Sequence, residues 1–415
     1  MLNIEGWQAQ SLGDLISLEY GASLSEAIRV DGEYPVYGSN GQIGKHTTFL
    51  VRGPGIIVGR KGTVGAVIWS DNSFWPIDTT YYVNLHKNHD LRWCYWQLLS
   101  LPIARMDSST GVPGLNRNDV YKLWLNVPSP SEQSFIAHIL DTLDTQIQLT
   151  EQLIAKLKQI KIGLLHDLFT QGVDENGDVR DPVAHPEKFK KSALGSIPRV
   201  WNVGKFEALA NIIDPQPSHR APAEVVDGEP YVGVGDIRED GSMNFESCRK
   251  VSLKAVTKQE QRFSIEAGDI IFGKIGTIGF PQLLPQGIRY ALNANTVIIK
   301  PKHCPSYVLW LLRSSLIEKQ IQVQIHSTSQ PAFGIQRIRA MLVPLPDKNE
   351  QHRISLILDS HNARITVEES YLVKLKQLKK GLMHDLLTGR VRVTQLIEES
   401  EHLDVRSKSV SGCEG

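Results

Sequence analysis

The 415-residue chain is long enough for roughly two to four domains, and its 41% hydrophobic and 22% charged content is that of an ordinary globular protein. Lys+Arg and Asp+Glu are equal at 45 each, so a surface for nucleic acid is expected only if charge is segregated by face. The four cysteines, Cys94, Cys248, Cys304 and Cys413, form no CxxC pair, which excludes a zinc ribbon or a disulfide framework and fits a reducing, cytoplasmic setting. MLNIEGWQAQ lacks a basic region followed by an apolar run, so no secretory signal is expected, and no apolar stretch long enough for a membrane span follows.

Residues 1–130 read as α+β with many turns. Tyr34 to Gly44, YPVYGSNGQIG, is a strand followed by a Gly-rich turn. Ile56-Ile-Val58 is a buried strand that runs into the tight loop Gly59-Arg-Lys-Gly-Thr-Val-Gly65. Thr79 to Val83 is a strand rich in β-branched and aromatic residues, and Leu91 to Leu101 is a short helix whose Trp93, Tyr95 and Trp96 belong to the core. A polar loop, Ser108 to Arg117, precedes an extended exit, Leu125 to Pro130.

Residues 131–170 predict one long helix. Ile136, Leu140, Leu143, Ile147, Ile154, Leu157, Leu164 and Leu168 follow alternating three- and four-residue spacings, the seam of a coiled coil. Ser131, Glu132 and Ser134 supply the expected N-terminal cap. At 1.5 Å per residue the rod is about 60 Å long. Residues 171–195, with two Asp-Pro or His-Pro breaks, read as a linker.

The chain then repeats itself. Glu350 to Thr388 aligns with Glu132 to Thr170 without a gap, and roughly half of the positions are identical, among them Glu132/Glu350, Asp141/Asp359, Gly163/Gly381 and His166/His384. Residues 196–347 echo the first domain in outline. Val200-Trp201 answers Gly6-Trp7, Ile270 to Gly279 answers Ile56 to Gly65, Tyr307 to Leu316 (with Trp310 in the core) answers the short helix, and Ser327 to Arg337 answers the polar loop. The organisation is therefore domain (1–130), helix (131–170), linker (171–195), domain (196–347), helix (348–390), with residues 391–415 expected as a disordered tail.

Catalytic signatures are absent from this reading. GRKGTVG and GKIGTIG lack GK[ST], so they read as tight turns that need glycine or as loops touching a phosphate backbone through Arg60, Lys61 or Lys274. His166-Asp167 and His384-Asp385 stand at helix ends without a second ligand cluster and read as helix-terminal pairs rather than metal sites. The lysines at 156, 158, 161, 374, 376, 379 and 380 are a solvated face that could also meet a partner or a DNA backbone. The two polar loops carry the donors and acceptors that read base edges in a major groove.

Together the EQ…LD…KLKQ…HDL helices, YGSNGQIG, GIIVGRKGTVG, FWPIDTTYYV, the STGVPGLNR loop and the VPSPSEQ exit resemble the specificity subunit of type I restriction–modification enzymes, over nearly the whole chain. The second domain departs from the pattern, with YVGVGD at Tyr231 to Asp236 in place of YGSNG. The resemblance implies an α+β fold of two duplicated target-recognition domains separated by two long helices packed as an antiparallel coiled coil, in a pseudo-twofold arrangement. Each domain would read one half of a split double-stranded DNA site, and the helices would set the unread spacer. Two modification subunits would carry S-adenosylmethionine and the adenine methylation, and restriction/translocase subunits would add ATP and Mg chemistry. This chain itself would hold no cofactor, no metal and no catalytic residue, and would meet no membrane. The candidate DNA contacts are Ser39, Asn40, Arg60, Lys61, Thr63, Ser108, Ser109, Thr110, Asn116 and Arg117 for the first half, and Lys274, Thr277, Ser327, Thr328, Ser329, Gln330, Gln336 and Arg337 for the second. Of these, Ser109, Thr110, Asn116 and Arg117, and Thr328, Gln330, Gln336 and Arg337, are the expected base readers. A reading from another class, a coiled-coil scaffold joining two protein-binding domains, fits the neutral charge; a self-contained enzyme does not, for want of a [DN]PP[YF] or PD…ExK pattern.

Overall fold

A computed structural model of the chain describes residues 4–86, 88–106, 114–218, 220–238, 242–325 and 332–399. The chain forms two compact units, Met1–Gln152 with Ser370–Gly415, and Leu153–Glu369. Each unit thus takes one half of each long helix. Residues 1–130 and 196–347 each fall whole within one unit, and the long helices are divided between the two because each contributes one end to each core.

The first unit is built on an antiparallel four-stranded sheet in the order Ile16–Tyr20, Thr80–Leu85, Gly55–Gly59, Val67–Ser70. Gly55–Gly59 is buried along its whole length, which is why it reads as an unbroken apolar run. A smaller sheet joins Gly41–His46, Tyr34–Gly38 and Trp75–Pro76. The chain enters and leaves through a two-stranded ladder, Gln8–Ser11 against Trp124–Val127. One core holds the sheet, the helix Leu91–Ser100 with Trp93 and Trp96, and the helix residues Ile136, Leu140, Leu386 and Leu387.

The second unit repeats that plan. Its sheet runs Ala210–Ile213, Thr296–Pro301, Ile270–Gly273, Gly279–Leu283, again antiparallel. The entry and exit ladder is Asn202–Lys205 against Leu342–Leu345, and Trp310, Tyr307, Ile354 and Leu358 join its core.

The long helices are Pro130–Thr170 and Lys348–Leu387. The first starts one residue before Ser131, the first of the expected cap residues. The Ser129 hydroxyl accepts from Glu132 N–H at 3.3 Å, and Asp347 Oδ1 accepts from Glu350 N–H at 2.9 Å. Pro130 then sits where a missing N–H costs nothing. Seven of the eight apolar positions read from the sequence are buried; Leu164 is half-buried. The helices run antiparallel within each unit. In the first, Lys379 pairs with Asp144 and Lys376 with Glu151 (2.7 Å), flanking Leu143, Ile147 and Leu375. In the second, Lys158 meets Glu369 at 2.7 Å and Lys161 donates to Asn362 Oδ1 at 2.6 Å. Several of the lysines expected as a solvated face therefore hold the helices together.

The repeated helix residues are explained by repeated contacts. Asp141 accepts from Trp96 Nε1 at 2.8 Å, and Asp359 accepts from Trp310 Nε1 at 2.7 Å. Each carboxylate ties the domain's short helix to its long one. Trp310→Phe removes one hydrogen bond to a charged acceptor and should cost about 1.5–3 kcal/mol of unfolding free energy, measured by chemical denaturation. Glu132 and Glu350 are buried, and each receives an arginine from the chain just beyond a helix end: Arg392 Nε on Glu132 at 2.9 Å, and Arg180 on Glu350.

Two regions expected to be irregular are tied down. In 171–195, Val173 is fully buried and bridges Val179, and Phe189–Ser192 forms a hairpin with Gly195–Pro198. Gly172 lies at φ +65°, where an added Cβ would stand 2.3 Å from both Trp201 and Glu350, so the reversal after the helix requires glycine. In the expected tail, Val393 is buried and residues 394–399 are helical. The remainder, 400–415, lies outside the described residues. No helix among the described residues is long and apolar enough to cross a membrane.

Candidate nucleic-acid interface

In the first unit, the interior strand Gly55–Gly59 delivers Arg60, Lys61 and Thr63 onto a loop at one end of the sheet, the rim termed the edge. Arg60 and Lys61 N–H groups both donate to the Thr79 carbonyl, at 2.9 and 3.0 Å, which closes the turn. Gly59 is required there, since a Cβ would stand 2.1 Å from the Thr63 carbonyl oxygen. The segment after the polar loop crosses this turn: Leu115 N–H donates to the Arg60 carbonyl at 2.8 Å, and Lys61 bridges Gly114. Ser39, in the turn after Tyr34–Gly38, lies beside Gly59 and Gly62. Three stretches far apart in sequence therefore meet, bringing Ser39, Asn40, Arg60, Lys61, Thr63, Asn116 and Arg117 to one edge. Asn40, Lys61, Thr63 and Asn116 are exposed; Ser39, Arg60 and Arg117 are half-buried.

Not all of these side chains are unengaged. Asn116 Oδ1 accepts from Asn118 N–H at 3.0 Å and caps the helix Arg117–Tyr121. Arg117 donates through Nη1 to the Leu18 carbonyl at 3.0 Å. Its guanidinium lies 5.0 Å from the centre of the Tyr20 ring, as does that of Arg60. Tyr20 packs on Tyr81 with ring centres 5.1 Å apart. Burial, then the neighbouring Tyr20, pushes the Tyr81 phenol up to about 12, so it stays protonated and donates to the Leu115 carbonyl at 3.0 Å. Tyr20 and Tyr81 thus organise this edge, and sequence reasoning missed both as site residues. Their aromatic character pointed only to a strand.

The second unit makes the same crossing with different chemistry. Lys274 and Ile275 N–H groups donate to the Asn295 carbonyl at 2.7 and 3.3 Å, Phe333 N–H donates to the Lys274 carbonyl at 2.7 Å, and Ile275 bridges Ala332. Gly273 is again required, with a Cβ position 1.9 Å from the Thr277 carbonyl oxygen. Lys274 is turned inward. Its ammonium pairs with Asp214 at 2.7 Å, and its side chain is 4% exposed, so it does not present the charge to solvent that a backbone contact needs. Thr277, Gln336 and Arg337 are exposed; the latter two lie on the helix Ile335–Ala340, beside a groove of about 420 Å³ floored by Lys274 and Asp214.

Ser108, Ser109, Thr110, Ser327, Thr328, Ser329 and Gln330 lie outside the described residues. Among the described residues no cluster of three or more His, Cys, Asp or Glu could hold a metal ion. His166 and His384 are exposed at the helix ends; the His384 carbonyl accepts from Thr388 N–H at 3.3 Å.

Comparison with known proteins now bears on this duplicated edge. The family model for the type I restriction modification DNA specificity domain matches twice, at residues 4–159 and 198–377. The chain is 26% identical over 299 residues to the type I restriction enzyme MjaVIII specificity subunit of Methanocaldococcus jannaschii, a match covering 69% of this chain and 66% of that relative, just under two thirds of its length. It is 24% identical over 382 residues to the type I restriction enzyme EcoDI specificity subunit of Escherichia coli, covering 84% and 79%. Its fold is that of the crystal structure of the type-I restriction-modification system S subunit from M. genitalium, with a TM-score of 0.62 at 17% identity over 93% of this chain and 97% of that one. Two matched domains, each with its own half of the paired helices, leave one assignment: the chain belongs to the type I restriction modification DNA specificity domain family.

Proposed function

We propose that the chain is the DNA-reading specificity subunit of a type I restriction–modification assembly. Each unit reads one half of a split double-stranded site, and the long helices set the unread spacer and receive the modification subunits. The observation that carries this reading is the edge formed twice, where the Gly-flanked loop is crossed by the segment following the polar loop. Exposed Asn40 and Thr63 on one edge, and Thr277, Gln336 and Arg337 on the other, supply the donors and acceptors that base edges require. The family match speaks against the scaffold reading.

Arg337 is the strongest candidate for a base contact, because its side chain is exposed and it stands on a short helix at the edge. A good bidentate contact contributes about 1–3 kcal/mol of discrimination. Arg337→Ala should therefore relax one position of the second half-site and leave the first half-sequence intact, as read by methylation-aware sequencing. An unchanged motif would remove this helix from the reading surface.

The chemistry of methylation, with S-adenosylmethionine, and any ATP- and Mg-dependent translocation or cleavage, belong on this proposal to partner subunits. The purified chain should transfer no methyl groups to DNA and release no heat on titration with S-adenosylmethionine. Saturable binding of that cofactor without a partner would contradict the assignment.

A further inference from the structure

The two units place different charges at one equivalent position. Gly59 faces Thr80 and Gly273 faces Thr296, so the sheets can be superposed residue by residue. Glu19 opposite Tyr82 then corresponds to Ile213 opposite Ile298. The next residue is Tyr20 in the first unit and Asp214 in the second. Arg60 likewise corresponds to Lys274, since each follows its glycine and receives the crossing strand on its carbonyl.

In the second unit these positions cancel: Lys274 is buried and paired with Asp214. In the first they do not. Arg60 donates to the Asp78 carbonyl at 2.9 and 3.2 Å, and Arg117 to the Leu18 carbonyl at 3.0 Å, and neither makes an ion pair among the described residues. Both guanidiniums lie 5.0 Å from the ring centre of Tyr20, which is 50% exposed, and exposed Lys61 follows Arg60. Two positive groups held in place by carbonyls and a ring, with donors left over and no carboxylate at ion-pair distance among the described residues, form a preorganised receptor for an oxyanion.

We propose that Arg60 and Arg117, braced on Tyr20, hold a backbone phosphodiester of the first half-site, and that the second unit lacks this clamp because Asp214 neutralises Lys274. This rests on the DNA-reading assignment and refines it. Arg117 is a phosphate contact rather than a base reader; the second unit keeps its counterpart, Arg339 on the Ile212 carbonyl at 3.1 Å, but pairs the other cation with Asp214.

The test is duplex binding by the full chain, with its modification subunits where binding needs them, at several salt concentrations. Each phosphate contact contributes about 0.9 to the slope of log affinity against log salt. Arg60→Gln should flatten the slope by about one, so that the affinity lost between 50 and 200 mM salt shrinks about 3.5-fold, on target and unrelated duplexes alike. Arg60→Lys should retain the slope. Tyr20→Asp, which installs the second unit's carboxylate at an exposed position, should flatten it as Arg60→Gln does while leaving both arginines in place. Thermal melting checks that each variant folds. A wild-type slope in folded Tyr20→Asp and Arg60→Gln overturns the clamp, as does a loss confined to one base position of the motif. Absence of any duplex binding by the wild type would instead overturn the DNA-reading assignment itself.

Discussion

Arg180→Ala should lower unfolding free energy by about 3 kcal/mol or more, the cost of removing one partner from a buried ion pair. Glu350 is 1% exposed, and its carboxylate is satisfied by two groups from beyond the preceding helix: the Arg180 guanidinium, with Nη2 at 3.2 Å from Oε2, and Val173 N–H at 3.0 Å. Alanine leaves the charge with one backbone donor in an apolar setting between Gly172 and Trp201. Arg392→Ala should act in the same direction in the first unit, where among the described residues Glu132 keeps the Trp7 ring N–H at 3.4 Å and the Ser129 hydroxyl at 3.3 Å. Lys205→Ala is the contrast. Its pair with Glu207 spans 3.9 Å between side chains more than half exposed, so its loss should change stability by under about 1 kcal/mol. Urea denaturation followed by tryptophan fluorescence measures all three. Equal midpoints for Arg180→Ala and Lys205→Ala would show that the buried pairs do not anchor the helices to their domains.

The second large effect concerns the helices as a measure of DNA. Both are uninterrupted, and the facing pairs Asp144–Lys379 and Lys161–Asn362 bracket the insertion points after Gln148 and after Glu369. One heptad added at each point keeps the apolar seam in phase. Each helix grows by about 10 Å. DNA rises about 3.4 Å per base pair, so on the proposal that the helices set the spacer it should lengthen by about three base pairs with both half-sequences unchanged. The added DNA twist is about 100°, so total methylation should fall. The sequence of the sites still methylated is the readout. An unchanged spacer would rule out the ruler, and altered half-sequences would move base reading onto the helices.

The duplication and the helices were legible because they rest on periodicity and identity within the chain, which need no third dimension. The buried strands at Ile56 and Ile270, and the glycines after them, were legible for the same reason. What the residues could not reveal was pairing at a distance. Asp214 is 60 residues from Lys274, and nothing local marks that lysine as buried. Glu132 and Glu350 stood out as repeated, but Arg180 and Arg392 follow their helices at unequal offsets, so no alignment joins them. Ser129 lies in the Leu125–Pro130 stretch that reads as an extended exit, and nothing in the pattern marks Asp347 as the cap of the second helix. Tyr20 carries no motif at all; its role follows from which side chains the sheet sets against it.

On the proposed function each unit reads its own half of a split site. Methylation-aware sequencing of the host genome, with the gene present and deleted, tests it directly. The expected result is an adenine-methylated motif in two short parts separated by an unread spacer, present with the gene and lost without it. A methylome unchanged by deletion, or a gene-dependent motif that is continuous, would contradict it.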